Sequence, residues 1–190
     1  RIGRSLAEVG DDALDLVTAT IEAGGRRQGL SAAEQRVARD VVVPLRLGVL
    51  NENVIVVDTV NFGWLQNLAR WEGDLGTSIT VGALRTKLAP WGMTDAMEDA
   101  ILLTWGLLGN YEFVGGGAAP KIGELPNAAV PRKANLPSDA DWAAAKERAG
   151  GVFGVAPEAN LTPRAVSRFA GAVRNQATSS KVDDLAQLLE

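Results

Sequence analysis

Ile79-Thr80-Val81-Gly82-Ala83-Leu84-Arg85-Thr86-Lys87-Leu88-Ala89-Pro90-Trp91-Gly92-Met93-Thr94 opens the stretch that decides the fold, and Asp95 to Val114 completes it. Thr80 is placed to cap a short helix whose inner face is Val81, Leu84 and Leu88. Pro90 ends that helix, because the residue before a proline is pushed out of the α region. Gly92 supplies a turn, and Thr94 is the next N-cap. Asp95 and Glu98 follow early in the helix, where negative charge suits the dipole. Met97, Ile101, Trp105 and Leu108 recur at helical spacing, and Leu102, Leu103 and Leu107 widen the stripe to nearly the whole circumference. A helix apolar on most sides is a buried helix. Gly109-Asn110 closes it. Tyr111 to Val114 reads as a strand, Gly115 to Gly117 as a tight connection and Lys121-Ile122 as the start of the return strand. Helix, turn, helix and hairpin is the order of a winged helix.

That order suggests DNA binding, and the charges argue against it. From Ala89 to Pro120 there is no Lys or Arg, while Asp95, Glu98, Asp99 and Glu112 fall in the same span. A helix entering a major groove brings cations to phosphates and donors to base edges. This one brings carboxylates, so packing or protein docking is the better reading of the unit.

The 190 residues hold one large domain or two small ones, and 46% apolar with 22% charged residues is ordinary for a globular chain. A net charge of −4 gives no general attraction to nucleic acid or anionic membrane. With no Cys there is no disulfide, thiolate nucleophile or zinc-thiolate site. With no His, the commonest general base and metal ligand is missing too. No apolar run reaches the length of a membrane span. The expected location is the cytoplasm. A start at Arg1 and an apolar Leu185, Leu188, Leu189 set at the end read as a piece of a longer protein.

Outward from the centre, Leu6 to Ala23 is a helix with Leu14, Val17 and Ile21 as its stripe and Leu16 beside it. Asp11, Asp12 and Asp15 do not converge on one face and read as a solvated helix start rather than a metal site. Gly24-Gly25-Arg26-Arg27 is a turn. Ser31 and Glu34 form a capping box for a helix running to Pro44, with a helical turn resuming toward Leu50. Val54 to Val57 is the best strand, covered on both faces. Val60 to Trp71 is a helix with Trp64, Leu68 and Trp71 inward, and Glu72 to Gly76 is a loop. Ala118 to Pro137 carries four prolines and reads as an extended surface segment. Ser138 caps a helix through Trp142 to Phe153. Thr162-Pro163 starts another, with Val166, Phe169, Ala170 and Val173 inward, and Asp183 to Glu190 is a last short helix.

Gly115 to Lys121 is similar to a phosphate loop in composition only. Pro120 precedes the lysine, Ile122 follows it and no helix begins there. No GxSxG, HExxH or EF-hand pattern occurs, and no two acids are placed across a cleft. The expectation is therefore no catalytic residue, no metal and no cofactor in this segment. The candidate nucleic-acid contacts are the cations of the basic segment and C-terminal helix: Lys121, Arg132, Lys133, Arg164 and Arg168. The candidate partner-docking residues are Trp91 and Phe113.

Pro90-Trp91-Gly92-Met93-Thr94, the acids Glu98 and Asp99, and the run from Leu102 to Leu108 resemble a segment of large phage-resistance ATPases. These are the phage-growth-limitation Y proteins and the related BREX-system P-loop proteins. Leu136 to Trp142, Glu147 to Ala149, Val152 to Val155 and Leu161 to Val166 also look like that family, so the resemblance spans about residues 80 to 175. The resemblance implies a long cytosolic ATPase of a bacterial antiphage system. Such a protein acts with methyltransferase, phosphatase-like and other subunits in discriminating phage DNA from self. It places this chain apart from the ATPase core, since no phosphate-binding loop is present to receive ATP-binding roles.

The expected fold is mainly α (α+β): a helical region with one short strand over residues 1–76, a winged-helix-like unit with its hairpin over 77–125, a linker over 126–137 and a helical region over 138–190. The expected function is a non-catalytic module docking other defence subunits or domains of the same chain. The alternative is a DNA-contacting winged helix.

Overall fold

The computed structural model describes residues 6–116, 120–153 and 161–179. It divides between Ala134 and Asn135 into two units. The class is mainly α, with two small antiparallel sheets among the described residues.

The first unit is built on α1 (Leu6–Glu22) and α5 (Asp95–Gly109), which lie against each other. The buried face of α1 is Gly10, Ala13, Val17 and Thr20, with Leu16 beside it, whereas Leu14 and Ile21 are only partly covered. Small side chains three and four residues apart let two helices approach closely. Thr20 satisfies its hydroxyl by donating to the Leu16 carbonyl at 2.7 Å. Every residue of α5 from Glu98 to Gly106 is buried, as its all-round apolar pattern predicts.

β1 (Arg26–Gln28), β3 (Val54–Val56) and β2 (Val49–Asn51) form a sheet with β3 in the middle, antiparallel to both neighbours. Ile55 is fully buried there. Two expectations change at this point. Arg26 and Arg27 lie in a strand rather than a turn, and Val49 to Asn51 is a strand rather than a resumed helix. α2 (Ala32–Val37) does carry both halves of the Ser31–Glu34 capping box, then widens into a π-helical turn over Ala38–Val42.

α3 spans Leu65–Leu75, so the predicted helix starts five residues late and absorbs most of the predicted loop. Asp58 is the cause. Its Oδ1 accepts from the Val60 N–H at 2.9 Å and the Asn61 N–H at 2.7 Å, which locks residues 58–61 into a turn. α4 (Val81–Leu88) matches its reading closely: Thr80 Oγ1 accepts from Ala83 N–H at 3.1 Å, and Val81, Leu84 and Leu88 are buried. Thr94 has the extended backbone of an N-cap, but its side chain makes no capping bond.

Tyr111 to Val114 is β4, and its partner is β5 (Val130–Lys133), paired Tyr111 with Lys133 through Val114 with Val130. Lys121-Ile122 is not the return strand. Those two residues belong to a long connecting strap whose Ile122, Leu125 and Ala129 are buried. Ile122 fills the space above Gly10, where an added Cβ would lie 2.8 Å from Ile122 Cγ2. The apolar residues of the strap pull it inward, and only then does the chain turn back. The region read as a linker over 126–137 thus contains β5.

In the second unit α6 (Asp139–Phe153) and α7 (Pro163–Ser179) are capped by Ser138 and Thr162, as their sequences predict. Trp142 and Phe169 meet edge to face at 5.1 Å. The predicted helix over Asp183–Glu190 lies outside the described residues.

Candidate interaction surface

Three loops of the first unit meet on one indole. Trp64, just before α3, is 2% exposed and donates from Nε1 to the Leu45 carbonyl at 2.8 Å. This ties it to the loop that ends α2. The neighbouring Gly63 N–H donates to the Arg46 carbonyl at 2.9 Å. Trp91, in the α4–α5 corner, stands edge-on to Trp64 at 5.2 Å and to Trp71 of α3 at 5.8 Å. Two buried tryptophans thus form a fixed floor under a third that is 49% exposed. Aromatic edge contacts of this kind add about 0.5–1.5 kcal/mol beyond burial, enough to hold the outer ring in one pose.

Two of these loops also carry exposed valines, Val43 at 39% and Val60 at 88% exposure. Arg46 places its guanidinium 6.0 Å from the Trp64 ring centroid. The guanidinium also lies over Gly63, where any Cβ would come within 2.6 Å of its Nε. Arg46 holds a left-handed backbone, φ 56°, a region that favours glycine.

Phe113, predicted beside Trp91 as a docking residue, is buried. Its ring packs on Gly106, where a Cβ would meet Phe113 Cε2 at 2.6 Å. Strand alternation turns it inward, with Glu112 and Val114 outward. Trp91 keeps its exposed face.

The candidate cations belong to the strap, to β5 and to α7. Lys121 and Arg132 are exposed. Lys133 is committed to the hairpin: its Nζ donates to the Gly109 carbonyl at 2.9 Å and sits 4.4 Å above the Tyr111 ring. A cation there complements the C-terminal end of α5. Tyr111 itself stacks on Trp105 at 4.3 Å and donates its hydroxyl to Glu72 Oε1 at 2.6 Å. Burial, then that hydrogen bond and the charge of Glu72, push the phenol well above its ordinary range. Arg168 is exposed on α7 of the second unit, and the Arg164 side chain lies outside the described residues.

Glu98, read as meeting a helix dipole, and its neighbour Asp99 are both buried. Asp99 is wholly buried and ion-paired with Arg85 Nη2 at 2.5 Å. Its other oxygen accepts from Gly123 N–H at 2.8 Å and Leu125 N–H at 3.4 Å. Arg85 in turn donates to the Leu125 carbonyl at 3.0 Å and to Asn127 Oδ1 at 2.5 Å. This clamp pins the strap to α4 and α5. Burial raises the Glu98 carboxyl above its usual range, against the pull of Arg85, whose Nε is 3.6 Å away, with Asp95 and Asp99 adding to the rise.

A shallow cleft of about 440 Å³ lies between α1 and α2, lined by Asp12, Asp15, Arg27 and Glu34 among others. Arg27 and Glu34 pair across it at 2.7 Å. Among the described residues no acidic group is arranged to hold a metal ion, and no helix is long and apolar enough to cross a membrane.

Sequence reasoning singled out Trp91 and missed Val43, Arg46 and Val60. The Asp58-x-x-Asn61 turn signal was present in the sequence. Convergence of three loops spread over residues 43–91 had no local signature.

The model for the fifth domain of the BREX System ATPase PglY protein matches residues 10–106, just over half of the chain, from within α1 to within α5. The runs from Leu136 to Val166 that carry part of the resemblance lie outside that match. No solved structure matches the chain.

Proposed function

The chain belongs to the family of the fifth domain of the BREX-system ATPase PglY, and from that membership we propose that it is a non-catalytic docking and coupling module of this phage-defence ATPase. It engages another defence subunit or another domain of the same polypeptide. Trp91 is the observation that carries the reading. A large aromatic ring left half exposed on a rigid aromatic floor is the kind of group that anchors protein interfaces. Nucleotide chemistry is assigned to other domains, since the sequence has no Gly-Lys-Ser/Thr loop. The module works in the cytoplasm, where the phage DNA that such systems resist is found.

The test is co-purification of the full-length ATPase with the other subunits of its system, comparing wild type with Trp91→Ala. Recovery of a partner is expected to fall at least tenfold while circular dichroism stays unchanged. Unaltered recovery would refute the docking role. If it were joined by DNA binding that weakens steeply with salt and with Lys121→Ala or Arg168→Ala, the DNA-contacting alternative would replace it.

A further inference from the structure

We propose that the converging loops that carry Val43, Val60 and Trp91 together seat an apolar protein segment carrying a carboxylate that meets Arg46. The inference rests on the docking role and specifies its partner. Single exposed apolar residues are ordinary on a protein surface. These three belong to loops that converge on Trp64, through the Leu45 carbonyl, the Gly63–Arg46 hydrogen bond and the Trp64–Trp91 edge contact. Each loop is also fixed. The Val60 turn is held by Asp58, whose two oxygens are taken by the Val60 and Asn61 N–H groups and by Asn61 Nδ2. A valine 88% exposed on a locked turn and a half-exposed tryptophan on an aromatic floor are pre-organised apolar groups.

The charge selects the partner. Arg46 makes no ion pair among the described residues. Asp58, on the adjoining turn, is spent on its own loop. Arg46 also occupies a left-handed position where glycine would sit without strain. A long cation kept at such a position, with its guanidinium laid over Gly63 and beside an indole, points to a need for positive charge there. One cation within an apolar patch is a poor footprint for nucleic acid, which needs several phosphate contacts. It suits an apolar segment with a single facing Asp or Glu.

Two synthetic peptides test this on the 190-residue chain. They share one amphipathic pattern of leucines and differ only in carrying Glu or Lys at the flanking polar positions. Binding is read by titration calorimetry and by the indole N–H resonance of Trp91. The acidic peptide is expected to bind at least tenfold more tightly and to shift that resonance, and Arg46→Glu is expected to reverse the order of the two. Equal affinity, no binding of either peptide, or an order unmoved by Arg46→Glu would overturn the proposal. Concentration-dependent self-association abolished by Val60→Asp would assign the surface to a second copy and overturn it too. In the co-purification assay the two levels separate. Loss with Trp91→Ala but not with Arg46→Glu removes the carboxylate and leaves the docking role, whereas no loss with either removes the docking role itself.

Discussion

Replacing Asp99 by alanine takes away the one carboxylate that holds Arg85, Gly123 and Leu125 together. Asp99 is fully buried, and its bonds are the 2.5 Å ion pair, a 2.8 Å amide bond and a longer one at 3.4 Å. Removing one partner of a buried ion pair costs about 3–5 kcal/mol, because the other charge is left uncompensated. Here Glu98 still lies 3.6 Å from Arg85 Nε and offsets part of that. The Gly123 amide adds about 1–3 kcal/mol if it stays buried without an acceptor. The expected loss is about 4 kcal/mol, a large fraction of the about 5–15 kcal/mol that holds a typical domain folded. Urea unfolding followed by tryptophan fluorescence measures it. The double variant Arg85→Met with Asp99→Leu removes both charges. It should nonetheless keep most of the loss, since the strap's Gly123 N–H and Leu125 carbonyl remain without partners. A loss below about 1 kcal/mol for Asp99→Ala, or full recovery in the double variant, would refute the clamp.

Gly106→Ala should destabilise by about 1–3 kcal/mol despite alanine's better helix propensity, because the methyl would press on the Phe113 ring; thermal denaturation decides it. Tyr111 is the sole tyrosine, so its ionisation is read directly by absorbance. Its raised folded value means the native protein should show less tyrosinate at pH 10 to 11 than a free phenol would. The associated stability is intact below about pH 10, the ordinary phenol value, and falls as pH rises above it. Tyrosinate appearing near pH 10 without unfolding would contradict the burial of the phenol and its Glu72 bond. Ser31→Ala should cost about 1 kcal/mol by breaking the capping box, measured by urea unfolding.

Local signals were legible and distant ones were not. Thr80, Ser31, Ser138 and Thr162 cap the helices they were read to cap, because a cap needs only the next three residues. The apolar circumference of α5 announced a buried helix, and Asn110 closes it at φ 55°. β1 escaped notice because Arg26-Arg27-Gln28 has no β-branched or alternating pattern and exists only by pairing with Val54–Val56. The return strand was sought at Lys121 because hairpin connections are short, whereas three buried residues of the strap postpone it to Val130. Asp99 was read only as one of the carboxylates that argue against a DNA groove, since its partners lie 14 to 26 residues away. Of the two docking candidates, Trp91 kept its exposure because it sits in a corner. Phe113 lost its own to strand alternation.

The seat of Ile122 against Gly10 sets an order on biosynthesis. Asp11, beside that glycine, meets the Ile122 amide across 111 positions of sequence. A ribosome adding about 5–20 residues per second needs about 6–20 s to supply the missing piece. Throughout that interval the inner face of α1 has no strap to cover it. The nascent chain therefore passes through a stage that is open to aggregation or to a chaperone's grasp, and substitutions in the strap should first show as poor yield rather than lost binding.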